Sequence, residues 1–142
     1  KPLDVPLATQ AIAILKDMLP VTADKEYVFI TSRGKDTPLS ENTTTAALKR
    51  LINPVTNKPY GTGFMTSHGF RHTASTMLNE LGYHSDIIEL QLAHTNKDRI
   101  RATYNKAQWM ERRIQMMQAW ADYLDGLKVE GNITPINKRI YG

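Results

Sequence analysis

His68 and Arg71 stand three residues apart in the stretch Ser67-His68-Gly69-Phe70-Arg71-His72-Thr73-Ala74-Ser75-Thr76-Met77-Leu78. On a helix beginning near Ser67, that spacing puts the two side chains about 60° apart around the axis, on one side. A second histidine follows in Leu92-Ala93-His94, and then Tyr104 in Ala102-Thr103-Tyr104-Asn105. These four types together suit attack by a phenol on a phosphodiester. Arginine offers a fixed fork of donors to two non-bridging phosphate oxygens and keeps its charge at any working pH. Imidazoles donate hydrogen bonds or move protons near neutrality. A phenol with an unperturbed pKa of about 10 is a weak nucleophile until such neighbours prepare it and its target. A single histidine is more often a satisfied core residue; the combination carries the chemical reading. His68 and His72 also have a spacing that can place two imidazoles on one metal. No glutamate lies between them as in His-Glu-x-x-His and no third ligand is evident, so neither metal nor cofactor is expected.

The elements that must hold these groups follow from the surrounding pattern. Ser67 is placed to cap a helix whose apolar side is Phe70, Ala74, Met77, Leu78 and Leu81, ending at Gly82. Gly69 in its first turn costs about 1 kcal/mol against alanine, which suggests close approach of a phosphate or another backbone. Ser85 is placed to cap a short helix over 86–92, with Asp86 and Glu89 near its positive end, and His94 emerges just beyond it. A turn at 95–98 then leads into a basic segment at 99–105. Of the six tyrosines, Tyr104 alone follows the second histidine on such a segment. Lys97 and Arg101 on this stretch are candidate DNA contacts, as are Ser67 and Lys58. A long helix over 106–124 presents Trp109, Met110, Ile114, Met117, Trp120, Ala121 and Leu124 inward, with Glu111, Arg112, Arg113 and Asp122 outward, and Gly126 ends it.

Earlier in the chain, Val5-Pro6-Leu7 reads as a short strand or extended entry, and Thr9 as the cap of a helix that Pro20 stops. Residues 26–30 have strand composition, and a polar turn follows to Pro38. Ser40 is placed to cap a helix reaching Ile52, with Lys49 and Arg50 on its outer side, more simply a solvated face than a phosphate site. Two prolines and two glycines in 53–63 exclude regular structure there; Lys58 and Tyr60 either line the path of a phosphodiester strand or belong to a loop that merely connects. Residues 132–136 read as a strand in a tail that docks on its own sheet or on a neighbouring protomer. The expectation is a mainly α fold with a small β-sheet, α+β in class: one domain over 1–142, with a body to 126 and a tail from 127 to 142.

Composition narrows the field. There are no cysteines, so no disulfide framework, thiolate metal site or cysteine nucleophile. Lysine and arginine exceed aspartate and glutamate by 18 to 14, a formal charge of +4 that is compatible with a polyanionic partner without proving one. No apolar run approaches the ~18 residues of a membrane span and no signal-peptide pattern opens the chain, which favours a soluble intracellular protein.

In the box His68-Gly69-Phe70-Arg71, the step Leu92-Ala93-His94, and Tyr104, the sequence resembles the tyrosine recombinases, the phage-type integrases. The flanks Val5-Pro6-Leu7, Tyr27-Val28-Phe29 and Arg112-Arg113 leading into Trp120-Ala121-Asp122-Tyr123-Leu124 are similar to the satellite-phage and genomic-island branch. The resemblance implies site-specific integration and excision of DNA by a phosphotyrosyl intermediate. Tyr104 would be the nucleophile, with His68, Arg71 and His94 as its catalytic partners. It implies double-stranded attachment sites, a homotetramer on DNA, accessory DNA-bending or directionality proteins, and a cytoplasmic location in a bacterial or prophage context. Family members also use an arginine and an acidic residue from an earlier helix and a hairpin lysine. Arg33 lies in a turn and Lys1 sits too near the Val5-Pro6-Leu7 strand to match these. The chain is therefore expected to be the C-terminal part of a longer integrase, nearly inactive alone. A silent DNA-binding relic and a type IB topoisomerase-like relaxase are the rival readings.

Overall fold

The computed structural model describes residues 3–31, 36–93 and 106–128. Its helices are α1 (Thr9–Thr22), α2 (Glu41–Arg50), α3 (Ser67–Glu80), α4 (Ser85–Gln91) and α5 (Lys106–Gly126). Two compact units are distinguished, one drawn from Lys1–Ile14 and Ser75–Gly142, the other from Leu15–Ala74.

The first unit holds the apolar core. Leu78, Tyr83, Ile87, Ile88 and Met116 are buried together, with Leu81, Leu92, Met117, Ala119 and Trp120 packed around them. The turn after α3 shows how these residues are brought inward. The Gly82 N–H donates to the Asn79 carbonyl at 3.0 Å and the Tyr83 N–H to that of Leu78 at 3.1 Å. Gly82 adopts φ +86°, a region that only glycine enters without strain. This is a Schellman ending, and its accompanying apolar contact is supplied by Leu78 and Tyr83, both in the core. The expected stop at Gly82 is thus found. α4 starts one residue earlier than its sequence suggests, because His84 rather than Ser85 is the cap: its Nδ1 accepts from the Asp86 N–H at 3.2 Å.

Polar side chains join the start of α1 to α5 within the same unit. Gln10 donates to Asp122 and Asp125 at 2.8 and 3.0 Å, and Gln118 donates back to Gln10 at 2.9 Å. Thr9, expected as a cap, is instead the first helical residue, its N–H satisfied by the Gln118 side chain at 3.0 Å. Lys128 first and then Gln10, by their hydrogen bonds, hold the Asp125 carboxyl below its ordinary range.

Arg113 corrects the sequence reading most sharply. Expected on the outer side of the last helix, it is only 2 % exposed. Its Nε donates to Gln91 Oε1 at 2.8 Å and its terminal nitrogen to the Asp4 carbonyl at 2.7 Å. Burial lowers its pKa and the nearby Asp4 partly restores it; a guanidinium starts so far above neutrality that the cation persists there. An arginine on a helix face otherwise patterned for solvent is buried because both acceptors lie where its fork can reach them. Arg113→Ala is expected to destabilise the protein by about 2–4 kcal/mol in urea unfolding, since it strands two acceptors as well as removing a charged donor. A loss under about 0.5 kcal/mol would mean that water replaces the guanidinium without cost.

In the second unit, α1 runs through Pro20 to Thr22 rather than stopping before it. So near the helix end, proline removes one internal bond only. The Thr22 hydroxyl donates to the Met18 carbonyl at 3.1 Å and the Ala23 N–H to Leu19 at 3.0 Å, completing the last turn. Ser40 precedes α2 as expected, but its hydroxyl pairs with that of Thr43 at 2.9 Å and makes no cap bond, and α2 ends at Arg50 rather than Ile52.

The expected small sheet is reduced, among the described residues, to two isolated antiparallel bridges, Ile30 with Pro38 and Ile52 with Pro59. Each segment finds a single partner, and proline occupies one side of both bridges, removing a donor from the ladder. Residues 53–63 hold no helix or strand, as expected, but they are locally ordered by turns around the second bridge. The Asn53 side-chain oxygen accepts from the N–H groups of Val55 and Thr56 at 2.8 and 3.1 Å, and Asn57 turns the chain at φ +51°. The result is a short hairpin tip carrying Val55 and Lys58 outward. The Val5-Pro6-Leu7 segment forms no strand, and the proposed tail strand at 132–136 lies outside the described residues. No helix among the described residues is long and apolar enough to cross a membrane.

Candidate functional site

The chemistry-bearing helix begins at a cap one residue earlier than expected. Thr66, not Ser67, is the N-cap residue: its hydroxyl accepts from the Gly69 N–H at 3.1 Å. Ser67 is the first helical residue, and its hydroxyl lies 3.0 Å from that of Thr45 on α2. Adjacent threonine and serine offer equally good caps on paper, so only the helix start distinguishes them. Gly69 is close to a neighbour, though not the one anticipated. A Cβ there would lie 2.6 Å from the Met65 Sδ, so the missing side chain makes room for a methionine folded over the first turn.

His68 is exposed and Arg71 half-buried on this helix, one turn apart and on one side. His72 is also exposed, while Phe70, expected to bury, remains 51 % exposed. Lys58 is exposed at the hairpin tip, and Tyr60 stacks on Phe64 with ring centroids 3.9 Å apart. An apolar cleft lined by Tyr27, Val28, Phe29, Pro38 and Leu39 reaches Ser67 at its polar rim. His94, Lys97, Arg101 and Tyr104 lie outside the described residues, as does Arg33.

Two features of the surroundings were not anticipated. Residues 42–79 contain no aspartate or glutamate, although the chain has 14 of them, and in this stretch lie Lys49, Arg50, Lys58 and Arg71 with both His68 and His72. Counting charge by segment rather than over the whole chain would have found this acid-free stretch. Second, Ala93, which directly precedes His94, adopts φ +54°. A residue with a Cβ pays on the order of 1–2 kcal/mol there. The Ala93 N–H donates to the Leu90 carbonyl at 3.1 Å, so a strained left-handed residue closes α4 immediately before the second histidine.

Comparison with known sequences decides the family. The model of the phage integrase family matches residues 1–121. The chain belongs to the phage integrase family. This is the tyrosine recombinase family that the pattern of His68, Arg71, His94 and Tyr104 suggested. Among curated proteins, the chain is 42 % identical over 118 residues to the prophage integrase IntA of Escherichia coli (strain K12), covering 83 % of this chain and 27 % of that protein. It is 38 % identical over 122 residues to the integrase of Shigella phage Sf6, covering 85 % and 30 %. It is 40 % identical over 137 residues to the prophage integrase IntZ of Escherichia coli (strain K12), covering 96 % and 31 %. The chain thus spans less than a third of the length of these relatives. No solved structure gives a significant match.

Proposed function

We propose that this chain is the C-terminal part of the catalytic domain of a site-specific DNA integrase that cuts and rejoins attachment sites through Tyr104. The observation that carries this reading is the pairing of exposed His68 with Arg71 on the capped start of α3, within an acid-free stretch of an integrase-family chain. A polyanion meeting this stretch finds lysine, arginine and histidine side chains and no carboxylate from the same stretch.

In the proposed reaction the Tyr104 phenolic oxygen attacks the scissile phosphorus and the bond to the 5′-oxygen breaks. The products are a 3′-phosphotyrosyl ester and a 5′-hydroxyl. His68 takes or positions the phenolic proton, and Arg71 and His94 stabilise charge on the five-coordinate phosphorus. Ser67, Lys58, Lys97 and Arg101 contact the DNA. Because one ester replaces another, the reverse attack by a 5′-hydroxyl needs no nucleotide. Double-stranded attachment sites, a homotetramer on DNA, accessory bending or directionality proteins, and a cytoplasmic location belong to the same proposal. Residues 1–142 alone are expected to cleave poorly, because a further arginine and lysine would come from elsewhere in the polypeptide.

The test uses the full polypeptide carrying this sequence and attachment-site DNA nicked so that the released end is lost. In EDTA, a covalent protein–DNA adduct is expected on a denaturing gel. Failure to form an adduct, or one that requires a divalent metal or a nucleotide, would overturn the reading in favour of a silent DNA-binding module or different chemistry. Relaxation of supercoiled plasmid without any exchange between two sites would instead favour the topoisomerase-like alternative.

A further inference from the structure

We propose that Thr45 is a positioning residue for the His68 and Arg71 side of α3, acting through Ser67. The inference rests on the reading above that these two side chains face the scissile phosphate. Ser67 is the first residue of α3, so its N–H belongs to the group of helix-start donors that have no partner inside the helix. It donates to Thr45 Oγ1 at 3.3 Å, and the two hydroxyls lie 3.0 Å apart. Two positions on, the Gly69 N–H is held by the Thr66 hydroxyl at 3.1 Å. The first turn of α3 is therefore fixed from two directions, by its own cap and by a hydroxyl from α2. His68 is the residue between these two anchored positions, and Arg71 follows within the next turn.

The run Thr43-Thr44-Thr45 shows that the contact is specific to one of three like residues. Thr43 pairs with Ser40 at 2.9 Å and Thr44 lines the apolar cleft, leaving Thr45 to reach α3. A valine of the same shape cannot do this, since it has no oxygen to accept the Ser67 N–H. Loss of the tie frees the helix start to turn about its axis, and side chains one turn apart are displaced together. Reacting groups lose rate steeply for displacements on the order of 1 Å.

The experiment measures single-turnover cleavage by the full polypeptide at saturating nicked attachment-site DNA, recording rate and adduct amplitude, with DNA affinity measured separately. Thr45→Val is expected to slow cleavage roughly tenfold at unchanged amplitude, with affinity within about twofold, whereas Thr45→Ser stays within about twofold of the parent. Cleavage by Thr45→Val at the parent rate would overturn the proposal. So would a Thr45→Ser variant as slow as Thr45→Val, or affinity falling in step with rate, which would make Thr45 a DNA contact. Lower amplitude at the parent rate would mark a folding defect and also refute positioning. If the unsubstituted protein forms no adduct, the integrase reading itself fails and this one falls with it.

Discussion

Tyr104→Phe is expected to abolish the covalent protein–DNA adduct while leaving DNA affinity within about twofold. The phenylalanine ring keeps the bulk of the side chain and removes the single oxygen that can form the ester, so the loss should be about 10³-fold or more. Denaturing gels of nicked attachment-site DNA read the adduct, and gel shift reads affinity. Undiminished adduct from Tyr104→Phe would move the nucleophile to another residue, with Tyr60, Tyr83 and Tyr123 the obvious tyrosines to examine. The structure already separates these three: Tyr83 is in the core, Tyr123 stacks on Trp120 at 5.6 Å, and Tyr60 stacks on Phe64.

The second large effect is expected at Arg71. Removing one preorganised donor from a charge-developing centre commonly costs about 10²–10³ in rate. Arg71→Ala should fall in that range for cleavage at saturating DNA. Arg71→Lys should recover little, because an ammonium is a point charge and cannot present two parallel donors to two phosphate oxygens. Near-complete rescue by lysine would show that Arg71 supplies charge alone, and equal losses of affinity and rate would show uniform binding rather than transition-state stabilisation.

How far the sequence disclosed this molecule depended on whether a local rule or a tertiary contact decided each point. The glycine past α3 was legible because left-handed backbone demands it, and the structure places it in a Schellman ending. Helix existence was legible from apolar spacing. Cap identity was not: Thr66 and Ser67 are chemically alike, and the long-range tie to Thr45 makes Ser67 a helical residue. Pro20 was read as a stop because its cost was counted without Thr22, whose hydroxyl helps close the final turn. Arg113 could not be placed inside from its own helix, since its partners Gln91 and Asp4 come from remote parts of the chain. The strand expectations rested on residue composition, which says nothing about whether an edge is available to pair with. For the candidate site, His68 and Arg71 fall on one side of one helix as their spacing required, whereas the charge pattern around them and the strain at Ala93 needed either segment-level counting or backbone angles.

The guanidinium of Arg113 has a consequence for the neighbouring stretch as well as for stability. It belongs to α5, and through Gln91 it grips the last residue of α4, adding a polar tie to the core packing that these two helices already share. Breaking this clasp should therefore loosen α4 and α5 together rather than one helix alone.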